Sequence, residues 1–294
     1  MKSLKSLILN FALIVVLMSV STWGCKKKSL EAEPITLNLA TNIEPYSKLK
    51  LSAGEWEIND RVGLYMKRPG KKLDDADALY MNVNNVEMSI YGKALISSDN
   101  LFYPINENVD FIAYYPYRPD FGYTLDVNVA NQATGIFTEP LYSNNATNRP
   151  PTDATVTLNF IYPLAKIAVT VTEIAGNISD TEFAAMTVSL DGMYTGAKLQ
   201  LKDGTFAGHN NRGVITMRKT ETTPTSASFE ARVFPFEGDV TFIFNIGDVS
   251  FSYSIGGRYV GANEYQLDFA INNDDDAREV TILNSTIIIP RTAI

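Results

Sequence analysis

The chain has 294 residues, of which 45 % are hydrophobic, and its 33 acidic and 25 basic side chains give a formal net charge of −8. This apolar fraction is typical of a globular protein and excludes a largely disordered chain. The acidic balance argues against a nucleic-acid partner, because phosphate binding needs a surplus of Lys and Arg on one face. A single cysteine excludes an intramolecular disulfide.

The N-terminus has the parts of a bacterial export signal. Lys2 and Lys5 precede an apolar stretch from Leu7 to Val20, and a small residue precedes Cys25. The stretch is shorter than the roughly 20 residues of a membrane-spanning helix, which favours cleavage over a permanent transmembrane anchor. We therefore predict a lipoprotein signal peptide over residues 1–24 and lipid attachment at Cys25. The alternative is a plain secretory signal with an incidental cysteine.

After this signal, the alternation of apolar and polar residues predicts β-strands in most of the chain. In one run, Val109, Phe111 and Ala113 alternate with Asp110 and Ile112, as in a strand with one buried and one wet face. Turn residues separate such runs, and short strands at this spacing predict antiparallel β-sandwiches. Similar alternation occurs at 125–129, 167–171, 227–233, 240–246 and 265–269, and short helical turns are predicted at 74–79 and 180–185.

A polar segment near the middle of the chain suggests a domain boundary. Pro150 and Pro151 lie in it, and neither can occupy a central strand. We expect an N-terminal anchor segment at 25–52, an N-terminal sandwich domain at 53–150 and a C-terminal sandwich domain at 151–294. Each sandwich then has the usual size of a domain.

The residues offer little for catalysis. His209 is the only histidine and lies in a Gly- and Asn-rich turn, so neither a Ser-His-Asp triad nor a multi-histidine metal site is available. The acidic runs Asp74–Asp77 and Asp274–Asp276 lack the spacing of an EF-hand loop, and we interpret them as solvated turns. Paired carboxylates for glycoside hydrolysis stay open, but no particular pair is indicated. We expect no enzymatic activity, no metal and no cofactor.

Four runs of residues resemble a known family. They are Trp56–Tyr65 (WEINDRVGLY), Val109–Tyr117 (VDFIAYYPY), Leu158–Ile167 (LNFIYPLAKI) and Gly261–Leu267 (GANEYQL). In this order they resemble the fimbrillin-like proteins of Bacteroidales, the subunits of lipoprotein-derived type V pili. The resemblance covers nearly the whole mature chain and implies an all-β fold with two transthyretin-like antiparallel β-sandwich domains in tandem. Tyr162 stands where the family usually has His.

The resemblance also implies how such a subunit assembles. Family members reach the outer membrane as lipoproteins, lose an N-terminal segment to a trypsin-like protease, and polymerise when a β-strand of one subunit fills the vacated groove of another. Ile35–Leu39 alternates as a strand where the removable one is expected. No Arg lies between Cys25 and Arg61, so Lys48 and Lys50 are the candidate processing sites. The alternative is a subunit that keeps its anchor.

Two strongly β-forming runs near the C-terminus predict a donor strand. The candidate donor residues are Val280, Ile282, Ile287 and Ile289. An unpaired apolar strand is an aggregation hazard, whereas a donor strand pairs its backbone and fills alternate pockets of a neighbour. The alternative is a last strand that pairs within its own sheet.

These observations favour a structural subunit or adhesin of a type V pilus. Its partners would be other pilin subunits in a homo- or heteropolymer, the membrane through Cys25, and a host or bacterial surface ligand. We expect an outer membrane lipoprotein at the cell surface or in a fimbrium. The alternative is a cell-surface glycan-binding lipoprotein of a gut or oral Bacteroidales bacterium, although only Trp56 would remain as a tryptophan platform after signal cleavage. A β-sandwich hydrolase is a third hypothesis, without a catalytic constellation behind it.

Overall fold

The computed structural model describes residues 33–45, 55–119, 122–134, 137–176, 178–273 and 278–287. Several predicted features lie outside these ranges: the signal peptide, Cys25, Lys48, Lys50, Ile289 and the acidic run at 274–276. The predictions for them stay predictions.

The described residues form seventeen strands and one short helix, which confirms the predicted all-β class. The first strands are β1 (Leu39–Ile43), β2 (Arg61–Lys67), β3 (Leu79–Tyr91), β4 (Ala94–Ile96), β5 (Asp110–Tyr115), β6 (Thr124–Asn128), β7 (Leu141–Ser143) and β8 (Val156–Phe160). After them come β9 (Ala165–Gly176), α1 (Asp180–Ala185), β10 (Thr187–Gln200), β11 (Phe206–Thr216), β12 (Arg218–Thr222), β13 (Ser226–Val233), β14 (Phe236–Ile246), β15 (Val249–Tyr259), β16 (Glu264–Asn273) and β17 (Glu279–Ile287).

The one described helix begins where the sequence predicts a helical turn. Ser179 and Glu182 form a capping box, in which each side chain accepts a hydrogen bond from the backbone N–H of the other. The other predicted helical turn, at 74–79, is wrong, because this segment forms non-helical turns that lead into β3.

Seven of the strands between Leu39 and Phe160 form one sheet, in the order β7-β5-β2-β3-β4-β1-β8. The sheet curls until its two ends meet. There the Tyr142 N–H donates to the Ile161 carbonyl at 3.0 Å, and the Ile161 N–H donates to the Tyr142 carbonyl at 2.8 Å. The closure joins the end of β7 to the residue that follows β8.

The remaining ten strands form two five-stranded sheets that pack face to face. One has the order β11-β10-β14-β15, with β6 also paired to β10, and the other has the order β12-β13-β9-β16-β17. Phe269 of the second sheet packs between Phe242 and Phe244 of the first, with ring centroids 5.2 and 5.1 Å away. This contact lies in the larger of the two hydrophobic cores.

Strands β2 and β5 lie between the two cores and contribute side chains to both. Phe111 and Ala113 belong to the core of the first sheet, whereas Ile112 and Tyr114 belong to the larger core. The prediction of a wet face on this strand is therefore wrong, since Asp110 is also buried.

Sheet pairing crosses the predicted boundary between residues 150 and 151. Strand β8 follows the boundary but completes the seven-stranded sheet of the first half, and β6 precedes it but pairs with β10 of the second half. The division into domains 53–150 and 151–294 stays a prediction.

Candidate functional site

Strand β1 lies between β4 and β8 of the first sheet. It pairs antiparallel with β4 through Leu39 and Ala40, and parallel with β8 along its whole length. Leu39, Thr41 and Ile43 are 5, 1 and 5 % exposed and face the core of this sheet. The strand expected at Ile35–Leu39 is observed four residues later, at Leu39–Ile43, and its removal stays a prediction.

The residues before β1 are also paired. The Leu37 N–H donates to the Leu101 carbonyl at 2.8 Å, and the Ile35 carbonyl accepts from the Tyr103 N–H at 2.9 Å. The predicted strand residues therefore form the approach to β1. Backbone hydrogen bonds therefore hold the chain both along β1 and in the residues that lead into it.

Trp56, which belongs to the next described segment, packs against β1 and its neighbours. Its indole N–H donates to the Thr41 hydroxyl at 3.0 Å. Its ring meets Phe160 edge-on at 5.2 Å and Tyr115 at 5.6 Å. The first and third family-like runs therefore meet at this strand, together with the second run, which contains Tyr115.

A second contact joins the first two family-like runs. Gly63 of β2 pairs with Tyr114 of β5, and a Cβ atom on Gly63 would lie 2.1 Å from the Tyr114 ring and 2.8 Å from Asn85 Oδ1. The Tyr114 hydroxyl donates to that same Asn85 oxygen at 2.8 Å. Only glycine fits here because the buried ring occupies the space of a side chain.

We expect Gly63→Ala to lower the free energy of unfolding by about 1–3 kcal/mol, since the added methyl overpacks a fixed ring. Gly122→Ala is the matched control, because no heavy atom lies within 4 Å of its added Cβ. Urea unfolding followed by Trp56 fluorescence measures both variants. Equal stability of the two would show that Tyr114 moves aside without penalty.

The third and fourth family-like runs also pack together. A Cβ atom on Gly261 would lie 2.2 Å from the Pro163 carbonyl oxygen. The Ala262 N–H donates to the Leu164 carbonyl at 3.0 Å, and the Lys166 N–H donates to the Asn263 carbonyl at 2.9 Å. These bonds start the parallel pairing of β9 with β16.

Strand β17 holds the predicted donor residues. It is an edge strand that pairs antiparallel with β16, where Val280, Ile282 and Ile287 lie opposite Ile271, Phe269 and Tyr265. Val280 and Ile282 are half-buried against the larger core, while Leu283 is 56 % exposed. In this state the strand is paired within its own chain, and a donor role stays a prediction.

His209 and the acidic run Asp74–Asp77 are the other sequence candidates that the structure describes. His209 lies in strand β11 rather than in the predicted loop, with its exposed ring 5.2 Å from that of Tyr194. Asp74, Asp75 and Asp77 lie in exposed turns, as predicted. Among the described residues, no three His, Cys, Asp or Glu side chains come together to hold a metal ion. No helix in the same residues has the length and apolar character to cross a membrane.

The structure reveals two buried charged groups that the sequence patterns did not indicate. One is the ion pair of Lys67 and Asp110, with nitrogen and oxygen 2.5 Å apart. The other is a cluster around Arg232 that includes Glu139 and Glu230. Tyr162 is half-buried against the first core, and burial raises the pKa of its hydroxyl.

Comparison with known proteins gives a fimbrial relative. "Putative fimbrium subunit Fim1C" of Bacteroides uniformis is 25 % identical over 174 residues, which cover 58 % of this chain and 54 % of that protein. The alignment thus spans about half the length of this relative.

Solved structures share the fold. A "putative cell adhesion protein" from Bacteroides uniformis superposes with a TM-score of 0.63 at 19 % identity, covering 87 % of this chain and 99 % of the other. A second such protein, from Bacteroides ovatus, gives a TM-score of 0.62 at 14 % identity, with 86 and 98 % covered. The model of the fimbrillin-like family matches residues 50–288. The chain therefore belongs to the fimbrillin-like family.

Proposed function

We propose that this chain is a structural subunit or adhesin of a type V pilus, and that it polymerises by β-strand exchange after β1 is removed. The observation that carries the proposal is the position of β1, an inserted strand with a buried face between two other strands. The family, the fimbrium subunit and the cell adhesion proteins with this fold support a fimbrial or adhesive role over an enzymatic one.

Removal of β1 would create an acceptor groove. β4 and β8 would each lose a pairing partner along one edge, and the inward positions of Leu39, Thr41 and Ile43 would be vacated. Buried apolar side chains of β8, such as Leu158 and Phe160, would line one side of the groove. An open edge lined by apolar side chains binds an added strand strongly, because the strand supplies both backbone hydrogen bonds and side chains for alternate pockets.

Strand β17 is the proposed donor. Among the described residues this edge strand forms a backbone ladder with β16 only, so its release breaks one ladder of hydrogen bonds. Its inward-facing apolar residues, Val280 and Ile282, are only half-buried in the present pairing. In a neighbour they would take inward positions like those of Leu39 and Ile43.

Export and anchoring complete the proposal. Cys25 would carry the lipid that brings the subunit to the outer membrane, and cleavage at Lys48 or Lys50 would separate the assembled subunit from that anchor together with β1. The partners are then other pilin subunits, and the final location is the cell surface or a fimbrium. The groove would then lie between β4 of the domain proposed at 53–150 and β8 of the domain proposed at 151–294, and the second domain would also carry the donor strand.

The experiment compares two double variants in the native host. Lys48→Ala with Lys50→Ala is expected to abolish the SDS-resistant ladder of unboiled samples and to leave the mature N-terminus at Cys25. The control is Lys71→Ala with Lys72→Ala, since these lysines lie in an exposed turn of the folded chain. A ladder that persists in the first variant, with β1 still attached in the N-terminal peptide mass, would refute strand exchange by this route.

A further inference from the structure

Strand β13 has an edge that a side chain covers instead of a strand. Strand β12 pairs with β13 only between Ala227 and Glu230, so Arg232 lies beyond it. There the Gln132 carboxamide accepts from the Arg232 N–H at 2.8 Å and donates to the Arg232 carbonyl at 2.8 Å. Gln132 is 4 % exposed. Its carboxamide makes the two backbone hydrogen bonds that a neighbouring strand would make to Arg232.

Glu139 binds the side chain of the same arginine. Its Oε2 atom accepts from Arg232 Nε at 2.7 Å, while its buried Oε1 atom has no hydrogen-bond partner. The carboxyl side chain is 14 % exposed and borders a cavity of about 170 Å³. Gln132 and Glu139 together form what we call the latch, which fastens residues on both sides of Phe137 to β13.

The charged side chains of this cluster come from four strands. On β13, Arg232 Nη1 lies 3.4 Å from Glu230. Arg218 on β12 also pairs with Glu230, and Lys166 on β9 lies 3.0 Å from Glu230 and 3.6 Å from Glu264 on β16. The Tyr162 hydroxyl also interacts with Glu139. Three cations thus contact Glu230, whereas Glu139 has one.

This asymmetry separates the two carboxyl groups. Burial raises the pKa of Glu139 to about 7, against the opposing attraction of Arg232. Burial acts in the same direction on Glu230, but Arg232, Arg218 and Lys166 outweigh it and lower the pKa of that carboxyl to about 2. Of these two carboxyl groups, Glu139 is therefore the one that changes charge between pH 5 and 8.

We propose that Glu139 makes the latch proton-controlled: it is closed on β13 when the carboxyl is protonated and loosens as the carboxyl ionises. Ionisation favours opening because the buried carboxylate has one oxygen, Oε1, without a hydrogen-bond partner, and opening lets water reach that oxygen. Opening would also uncover the backbone N–H and C=O of Arg232, a free strand edge. Neither β1 nor β17 takes part, so the inference goes beyond strand exchange.

The direction of the pH effect follows from the two pKa values. With the pKa of Glu139 at an ordinary 4.5 in the open state and about 7 in the closed state, the closed state holds the extra proton. Its stabilisation is complete below the open-state value and is lost as the pH rises through the closed-state value. The opening equilibrium then increases about tenfold between pH 6 and pH 8.

Hydrogen exchange of the Arg232 amide in the full chain tests the latch, since that N–H donates to Gln132. After correction for intrinsic exchange, we expect protection to fall about tenfold from pH 6 to pH 8. Glu139→Gln should stay protected at both pH values, and Gln132→Ala should exchange fast at both. Glu107→Gln, at an exposed position, should behave as wild type.

Two results would overturn the proposal. One is protection of the Arg232 amide that does not change with pH in the wild-type chain. The other is a Glu139→Gln variant that keeps the tenfold fall, because the titrating group would then lie elsewhere. Either result leaves the pilus-subunit proposal untouched, since the latch makes no use of the groove.

Discussion

Replacing Asp110 with Ala is expected to lower the free energy of unfolding by about 3–5 kcal/mol. Asp110 and Lys67 are cross-strand partners on β5 and β2, and their side chains are only 8 and 9 % exposed. The second carboxylate oxygen accepts from the Asn148 N–H at 2.7 Å. The substitution therefore leaves a buried ammonium without its carboxylate and a backbone donor without its acceptor.

Two further variants separate this effect from loss of charge alone. Asp126→Ala removes an ion pair with Lys198 whose side chains are 77 and 51 % exposed, and it should change stability by less than about 1 kcal/mol. Lys67→Met combined with Asp110→Leu removes both buried charges and should be more stable than Asp110→Ala. Urea unfolding measures all three. Similar losses for Asp110→Ala and Asp126→Ala would contradict the buried-pair interpretation.

Asp110 also shows what an alternating pattern can and cannot predict. Period two correctly indicates a strand at Val109–Ala113, because successive side chains point to opposite faces. The pattern says nothing about what covers the second face. Here the larger core of the molecule covers it, so Asp110 and Ile112 are buried and the charge needs Lys67 from the neighbouring strand.

The candidate site was predictable in its position but not in its bounds. Ile35, Leu37 and Leu39 alternate, but only Leu39 belongs to the paired strand, which continues through Thr41 to Ile43. Thr41 hides this continuation because its polar side chain is buried, at 1 % exposure. Its hydroxyl is satisfied by Trp56, 15 residues away. A long-range partner of this kind leaves no local signal.

The charged cluster around Arg232 could not be predicted from the sequence for the same reason. Glu139, Lys166, Glu230 and Glu264 come from separate segments, and only the sheet order brings them to Arg232. In the sequence each looks like an ordinary exposed charge on a strand or loop. The glycines of the family-like runs were easier to notice, yet their reason is also long-range: Gly63 makes room for the Tyr114 ring.

Strand exchange predicts that substitutions in the groove and in β1 have different effects on the assembled polymer. Leu39 lies on β1 and Leu158 on β8, and both are buried in the first core at 5 and 0 % exposure. In the unprocessed subunit, replacing either with Ala should lower the free energy of unfolding by about 2–5 kcal/mol. The two variants should differ only after assembly, because Leu39 leaves with β1 while Leu158 stays in the groove.

The temperature at which the SDS-resistant ladder dissociates measures this difference. Ladders of Leu39→Ala should dissociate at the wild-type temperature, since the variant residue is absent from the polymer. Ladders of Leu158→Ala should dissociate at a lower temperature, because the donor strand then packs above a cavity. Equal lowering by the two variants would mean that β1 stays in its seat between β4 and β8 in the assembled subunit, and that the subunits join through another surface.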